Sequence, residues 1–422
     1  MQAHCWLLPL LAACLTPLLA GCGGAVDSDA SSSVGRHLTV YSSLPMRGPL
    51  AAESQAILDG ERLALIDAHH RVGRFRIDLV SLDDSGPTGT WDPSVTAANV
   101  KIADRDPRTI AYIGDYDSGA TAVSLPANNL AGILQVSPMS PYVGLTSSFE
   151  AGQGDPERFY PTGKRNFIRL LPGDAVQAAA QIALMRVLNI HSLYVLADGE
   201  PFGAPLASIV ASDARLSGIK VMGEQTVELD RASAQTRFTG LVQQVVGSGA
   251  QAIFLNGDSG AGTAALWQQM HAADPGLLLL GVSAMANASF ASAIGAAAQQ
   301  TYLTSPALSN TSYAGAAQRV FTQIERRFHE GASPYGLFGY AAMELVFSAI
   351  RRAGRHGNYR AAVVAGALAP HSLDSVLGRY AVLADGETTI TSYGVDHIQD
   401  GLPVFWRQLS VTDGSRYFQH VP

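Results

Sequence analysis

Three shortages define what this 422-residue chain is not. It holds only three cysteines, Cys5, Cys14 and Cys22, all in the first 22 residues, so a disulfide-stapled scaffold is excluded. Lysine is nearly absent: Lys101, Lys164 and Lys220 are the only three, and the basic residues (28 Lys plus Arg) form no dense run. With 35 acidic residues and a formal charge of -7, there is no electrostatic footprint for nucleic acid. Long apolar runs are also missing beyond residues 6–19, so no later stretch is suited to span a bilayer. The 42 glycines and 21 prolines follow no G-X-Y period, which excludes a collagen-like chain. What is present is a 47% apolar, 15% charged composition with mean hydropathy +0.13, the profile of packed cores rather than disorder. At about 100–200 residues per domain, the length calls for two lobes or more.

The N-terminus reads WLLPLLAACLTPLLAGC over residues 6–22. Uncharged from Trp6 to Ala20 and broken by Pro9 and Pro17, it has the length of a secretory h-region. It closes on Leu19-Ala20-Gly21-Cys22, which resembles the lipobox of bacterial lipoproteins. That resemblance implies a signal peptide over 1–21 and a lipid on Cys22, leaving a mature chain without a thiol. Residues 22–37 then form the lipidated cysteine and a Gly/Ser/Asp-rich tether, with a reach of roughly 20 Å by random-coil scaling.

From His37 onward, short apolar runs alternate with segments of helical period. Strands are expected at 38–44, 75–82, 109–113 and 133–136, with helices at 52–69, 94–104 and 119–131 between them. After a polar, turn-rich break at 144–165 the alternation restarts. A helix at 174–187 sets Val176, Ala179, Ala180, Ala183, Leu184 and Val187 on one face. Strands at 192–197, 219–224, 252–256 and 277–281 follow, with helices at 203–217, 234–247 and 261–273. Helices at 313–329, 336–354 and 359–367 and a tail of short strands over 376–410 complete the chain; the tail could return to either lobe. Continuous apolar strands joined by helices mean parallel sheets covered on both faces, hence an α/β fold of two Rossmann-like lobes. Ligands of such sheets bind beyond the carboxyl ends of the strands. The loops at 44–51, 83–93, 114–120, 137–143, 198–203, 256–260 and 282–288 are therefore the ones to watch.

At these loops the chain resembles the type I periplasmic solute-binding proteins of the leucine/isoleucine/valine-binding family. The likeness is carried by SSLPMRGPLAAESQAILDGERLALIDA, FRIDLVSLDDSGPT, IAYIGDYDSGATAVSLPANNLAGILQVSPMSP and YPTGKRNFIRLLPGDAVQ, in that order, and extends from residue 38 to about 390. The resemblance implies a periplasmic-binding-protein-like fold with a multi-crossover hinge. Lobe one would be 38–172 plus 307–383 and lobe two 173–306 plus 384–422, with crossings near 172–174, 305–307 and 383–385. It implies a monomeric lipoprotein outside the cytoplasm that closes on a small solute, by default a branched-chain or related amino acid, and presents it to ABC permease and ATPase subunits. It implies neither cofactor nor metal, and no enzymatic activity.

The candidate ligand residues follow from the same matches. Asp117-Ser118-Gly119-Ala120-Thr121 stands between a strand and a helix, where free amides favour an anion; the family's matching serine holds a ligand carboxylate, which implicates Ser118 and Gly119. An ordinary N-cap serine is the competing reading. Met139 and Ser140 match positions that offer backbone groups, although Pro141 stands where the family has a hydroxyl residue. Phe202 and Tyr335 match aromatics that cover an aliphatic side chain; an aromatic at a helix start is otherwise commonly core. Ser283 occupies the place of the family's ammonium-binding carboxylate. Either Asp258 substitutes for that acid, or the ligand lacks an ammonium, as an amide, urea-like solute or organic acid would.

Other functions find less support. Gly257-Asp258-Ser259-Gly260 resembles a serine-protease nucleophile loop, but no histidine motif surrounds His69, His191 or His271. Gly260-Ala261-Gly262-Thr263-Ala264-Ala265 is a weak dinucleotide fingerprint without the acidic residue a ribose needs. Asp83, Asp84 and Asp92 lack metal-ligand spacing and read as a solvated loop. A ligand-sensing protein of the same fold, signalling to a partner, remains the alternative to transport.

Overall fold

The computed structural model describes residues 35–198, 204–229, 238–409 and 411. The first sheet is built by β1 (His37–Leu44), β2 (Arg71–Val72), β3 (Phe75–Asp83), β4 (Thr109–Ile113), β5 (Leu134–Ser137) and β6 (Phe167–Arg169), in the order β2-β3-β1-β4-β5-β6. All pairs are parallel except the short β2 on β3. Helices α1 (Ala51–Asp67), α2 (Pro93–Arg105) and α3 (Ser118–Leu130) link these strands. Seven of the eight β1 residues are buried, and so is every residue of β4 and β5, as expected for strands covered on both faces.

The second half repeats the plan. It contains α4 (Asp174–Val187), β7 (Ser192–Asp198), α5 (Ala204–Leu216), β8 (Lys220–Val227), α6 (Thr239–Gly247), β9 (Ala252–Asn256), α7 (Ala261–Ala273), β10 (Leu278–Val282), the short α8 (Ala288–Ala293) and β11 (Thr301–Ser305). The chain then returns through α9 (Gly315–Phe328), α10 (Tyr335–Ala353), α11 (Arg360–Leu368) and the hairpin β12 (His371–Ser375)–β13 (Gly378–Val382), which pack on the first sheet's core. A last crossing delivers β14 (Tyr393–Gln399) and β15 (Leu402–Leu409) to the second sheet, whose order is β15-β14-β11-β10-β9-β7-β8. That sheet is mixed: β14 runs antiparallel to β11, and β15 antiparallel to β14. The tail thus serves both halves. Val376, Tyr380 and Val382 join the first core, Tyr393, Val395 and Ile398 the second.

Leaving aside the two-residue edge strand β2, in both sheets the first strand sits between the next two: β3-β1-β4-β5-β6 in one, β8-β7-β9-β10-β11 in the other. The connections therefore reverse direction between β1 and β4, and between β7 and β9. A crevice opens at such a switch point, outside the carboxyl ends of the strands.

Helix α10 is buried on nearly every side and lies directly on α1. Glycine makes that approach possible. A Cβ on Gly339 would stand 1.9 Å from the Ile57 carbonyl oxygen, and one on Gly60 1.9 Å from that of Gly336. Gly339→Ala is accordingly expected to push the helices apart and cost about 3 kcal/mol, the upper range for overpacking. Urea titration of the variant checks this; an unchanged midpoint would contradict the close packing.

Candidate functional site

At the switch point of the first sheet, loops from β1, β3 and β4 converge. The loop after β1 is pinned by Asp83, whose Oδ1 accepts the Met46 N–H (3.1 Å) while Oδ2 accepts Arg47 Nε–H (2.7 Å). Partial burial acts to raise the Asp83 carboxyl, but the bonds from Ser85, Arg47 and Met46 win and hold it below its ordinary value. Next to it, Asp84 is fully buried and neither carboxylate oxygen has a partner. The expectation of a solvated acidic loop is thus corrected: Asp92 turns away to cap α2, accepting the N–H of Ser94 (2.8 Å) and Val95 (3.1 Å), and the loop folds down over Asp84. Burial first, then the nearby Asp115, Asp117 and Asp83 charges, push the Asp84 carboxyl up to about 9.

After β4 the chain runs Gly114-Asp115-Tyr116-Asp117 into α3. Asp115 is inside, accepting from the Tyr112 hydroxyl (2.9 Å) and from Ser124. Tyr116 donates its hydroxyl to Glu53 in the first turn of α1. Burial raises Glu53, Asp115 and Asp117 to about 7 each; at Asp117 the neighbouring Asp115 and Glu53 charges add to it. Asp117 occupies the N-cap of α3 yet makes no capping bond, and its Oδ2 is sealed without a partner.

Ser118 and Gly119 form the first turn of α3. The Ser118 hydroxyl oxygen accepts the Tyr142 N–H at 3.1 Å, which couples this turn to the loop after β5. Gly119 lies flat under Trp91; a Cβ there would stand 2.3 Å from the indole ring. The amides of Ser118, Gly119 and Ala120 meet no protein acceptor among the described residues. Such a turn can hold an anion, and Trp91 walls it with an apolar face.

The loop after β5 is more inward than expected. Both the Met139 and Ser140 amides donate to Ser137 Oγ, at 3.2 and 2.9 Å. The Ser140 hydroxyl is bonded to Thr121 Oγ1 (2.6 Å) and to the Asp115 carbonyl (3.0 Å), and the residue is fully buried. Both amides are thus turned back on Ser137 in their own loop, and the hydroxyl ties that loop to Thr121 of α3. Tyr335, first residue of α10, stands where the two halves meet. Its hydroxyl reaches Ser305 at the end of β11, and it lies within electrostatic range of Glu53 and of Asp396 on β14. Burial, the largest effect, raises it far above an ordinary tyrosine.

On the second sheet, Asp258 and Ser283 sit at the carboxyl ends of β9 and β10. Asp258 is exposed and serves its own loop, accepting the Gly260 N–H (2.8 Å) and the Thr263 hydroxyl (3.2 Å). Ser283 opens a single 3-10 turn and its carbonyl accepts the Ala286 N–H. Phe202, and Cys22 at the N-terminus, lie outside the described residues. The structure thus brings Ser118, Gly119 and Tyr335 to a common region with Glu53, Trp91 and Asp117, which sequence reasoning had not singled out as ligand residues. The signal for them was acidic and aromatic residues at the carboxyl ends of separate strands. A surface hollow of about 400 Å³ elsewhere, lined by Leu188, Ile190, Ala250 and Leu277, is at the opposite, amino-terminal ends of the second sheet's strands and has no part in this site. No cluster of metal-binding side chains occurs among the described residues.

These features belong to a known class. The periplasmic binding protein family matches residues 42–401, and the chain is a member of it. Solved structures agree in fold across almost their whole length. The leucine-binding protein LivK of Thermotoga maritima aligns over 88% of this chain and 98% of its own, with a TM-score of 0.72 at 17% identity. LivJ of Streptococcus pneumoniae, in complex with isoleucine, aligns over 87% and 99%, with a TM-score of 0.68 at 16% identity. An R. palustris solute-binding protein in complex with benzoate covers 88% and 96%, with a TM-score of 0.69 at 16% identity. No curated protein matches the chain. The expected two-lobed α/β fold is the one observed.

Proposed function

We propose that this chain is the extracytoplasmic solute-capturing component of an ABC importer, held at the membrane by a lipid on Cys22. A small solute docks first on the free amides of Ser118, Gly119 and Ala120, beside Trp91. The second lobe then closes over it with the loops after β7, β9 and β10, which carry Phe202, Asp258 and Ser283. The hinge consists of the three crossings near residues 172–174, 305–307 and 383–385. Contacts to both lobes shift the population toward the closed form, which the permease recognises; no covalent step is involved.

The observation that carries this reading is the pair of switch points, one per sheet, with an unsatisfied helix amino terminus at the first. Family membership supports it, and so does the company of solved structures that hold leucine-type amino acids or benzoate. No helix among the described residues is long and apolar enough to cross a membrane. The test is small-angle scattering of the full-length chain, with and without a solute that raises its melting temperature. The radius of gyration should fall on binding. A solute that stabilises the protein and leaves its scattering unchanged would overturn the hinge mechanism.

A further inference from the structure

An aspartate at an N-cap ordinarily accepts the amides of its own helix. Asp92 does so at α2. Asp117 holds the same position at α3 and does not: it makes no capping bond, and its Oδ2 is enclosed without a partner. A row of donors and an unpartnered carboxylate therefore lie side by side. Behind them lies Asp84, fully buried with both oxygens unpartnered and close enough to feel the charges of Asp115 and Asp117. Glu53 completes the group, with only the Tyr116 hydroxyl as a partner. Among the described residues, no Arg, Lys or His acts on Asp117 or on Glu53. Four carboxyl groups thus face one region without a countercharge.

We propose that Asp117, with Glu53 beside it, is the residue pair that recognises a positively charged nitrogen on the solute, so that ammonium recognition lies on the first lobe. This rests on the solute-capture reading and deepens it. Of the two second-lobe positions at the carboxyl ends of β9 and β10, Ser283 is neutral and Asp258 is engaged with its own loop. The free amides of Ser118 to Ala120 next to Asp117 call for an anion and a cation on neighbouring atoms. The matching solute is a zwitterion bearing a carboxylate and an ammonium, as in an amino acid. Burial makes the pairing selective. An enclosed carboxylate without a countercharge is costly, and a solute that supplies the ammonium relieves that cost, whereas its deaminated analogue leaves it in place.

The groups facing Asp117 are Glu53 on α1, Asp84 after β3, and Asp115 and Tyr116 in its own loop. Tyr335 on α10 and Asp396 on β14 stand further along the same acidic region. None is cationic. Protons therefore compete with the solute for Asp117 and Glu53, and affinity for an amine-bearing solute should weaken as pH falls from 8 to 6.

The test is calorimetry and thermal shift on the full-length chain with matched pairs: L-leucine and 4-methylpentanoate, L-phenylalanine and 3-phenylpropanoate, L-alanine and propanoate. At pH 8, at least one amino acid should bind, and its deaminated partner should bind at least about thirtyfold more weakly. Asp117→Asn and Glu53→Gln should each reduce amino-acid affinity by a similar factor while keeping or raising the melting temperature, which separates lost recognition from lost folding. An acid that binds as well as its amino counterpart overturns the proposal. So does a panel in which no amino acid binds, or an unchanged affinity in Asp117→Asn. Compaction in scattering on an acid without ammonium would overturn the charge assignment and leave solute capture standing. Asp117-dependent binding of an amino acid without compaction would do the reverse.

Discussion

Replacing Arg169 with methionine is expected to destabilise the protein by about 4 kcal/mol, one of the largest single-site effects it should show. Arg169 ends β6, is fully buried, and is bonded on every side of its guanidinium. One terminal nitrogen donates to the carbonyls of Ser140 (3.0 Å) and Tyr142 (2.7 Å); the other donates to Thr146 Oγ1 (2.6 Å) and to the Glu387 carboxylate. Glu387 belongs to the chain that runs from β13 to β14, 218 residues away. The two crossings lie against each other, for the Arg169 N–H also donates to the Gly386 carbonyl (3.0 Å), and the Thr388 hydroxyl to that of Leu170 (3.3 Å). Removing the cation leaves Glu387 as a buried charge without a countercharge, held only by the Thr146 hydroxyl, which is why the loss exceeds that of an ordinary core truncation. Removing both charges, as Arg169→Met with Glu387→Met, should recover most of the loss, because the desolvation cost disappears with the pair. Urea denaturation of the four proteins of this cycle measures it. A double variant no more stable than Arg169→Met alone would show that the carbonyl and Thr146 contacts, rather than the ion pair, hold the crossings together.

The same residue shows which features a linear reading can reach. The alternation of apolar runs and helical stripes was legible because strands such as β4 and β9 are apolar at four of their five positions and the helices between them carry a buried stripe. Their carboxyl-terminal loops, and so the region of the site, followed from topology alone. Short elements escaped: β6 has three residues, too few for a period, and its pairing depends on β5. Periodicity alone left the tail open to either half, because β14 pairs with β11 across about ninety residues without any hairpin signal; only the family resemblance divided it, near 383–385. Asp84 lies inside rather than in solvent: an acidic pair followed by Ser85-Gly86-Pro87 reads as a loop, and nothing in its order reveals that Asp92 bonds back to the Asp84 carbonyl. The backbone groups expected of Met139 and Ser140 are turned inward, since both amides bond the Ser137 hydroxyl oxygen, a contact set by how the loop folds back on its own strand. Residues 53, 84 and 117 converge only in three dimensions, and no spacing encodes that.

Asp84→Asn is the second substitution with a large expected effect, and its sign depends on pH. In the unfolded chain this carboxyl titrates near 4. In the folded protein it titrates near 9, mainly through burial, with the Asp115, Asp117 and Asp83 charges adding to it. Between those values the folded state keeps a proton that the unfolded state has released, so stability falls as pH rises through that window; below about 4 the effect vanishes. Asparagine matches the protonated carboxyl in shape and has no charge to lose. The variant should therefore be nearly as stable as the parent at pH 4.5 and more stable by about 3 kcal/mol at pH 8. Glu53, Asp115 and Asp117, raised in the same direction to about 7, make the parent's own decline steeper. Denaturation curves at the two pH values decide the matter: parallel losses in parent and variant would mean that Asp84 has a partner in the folded state. A divergence would show that the ligand-free site is a strained, proton-holding cluster, and the strain should be smaller in the complex with any solute whose cation displaces those protons.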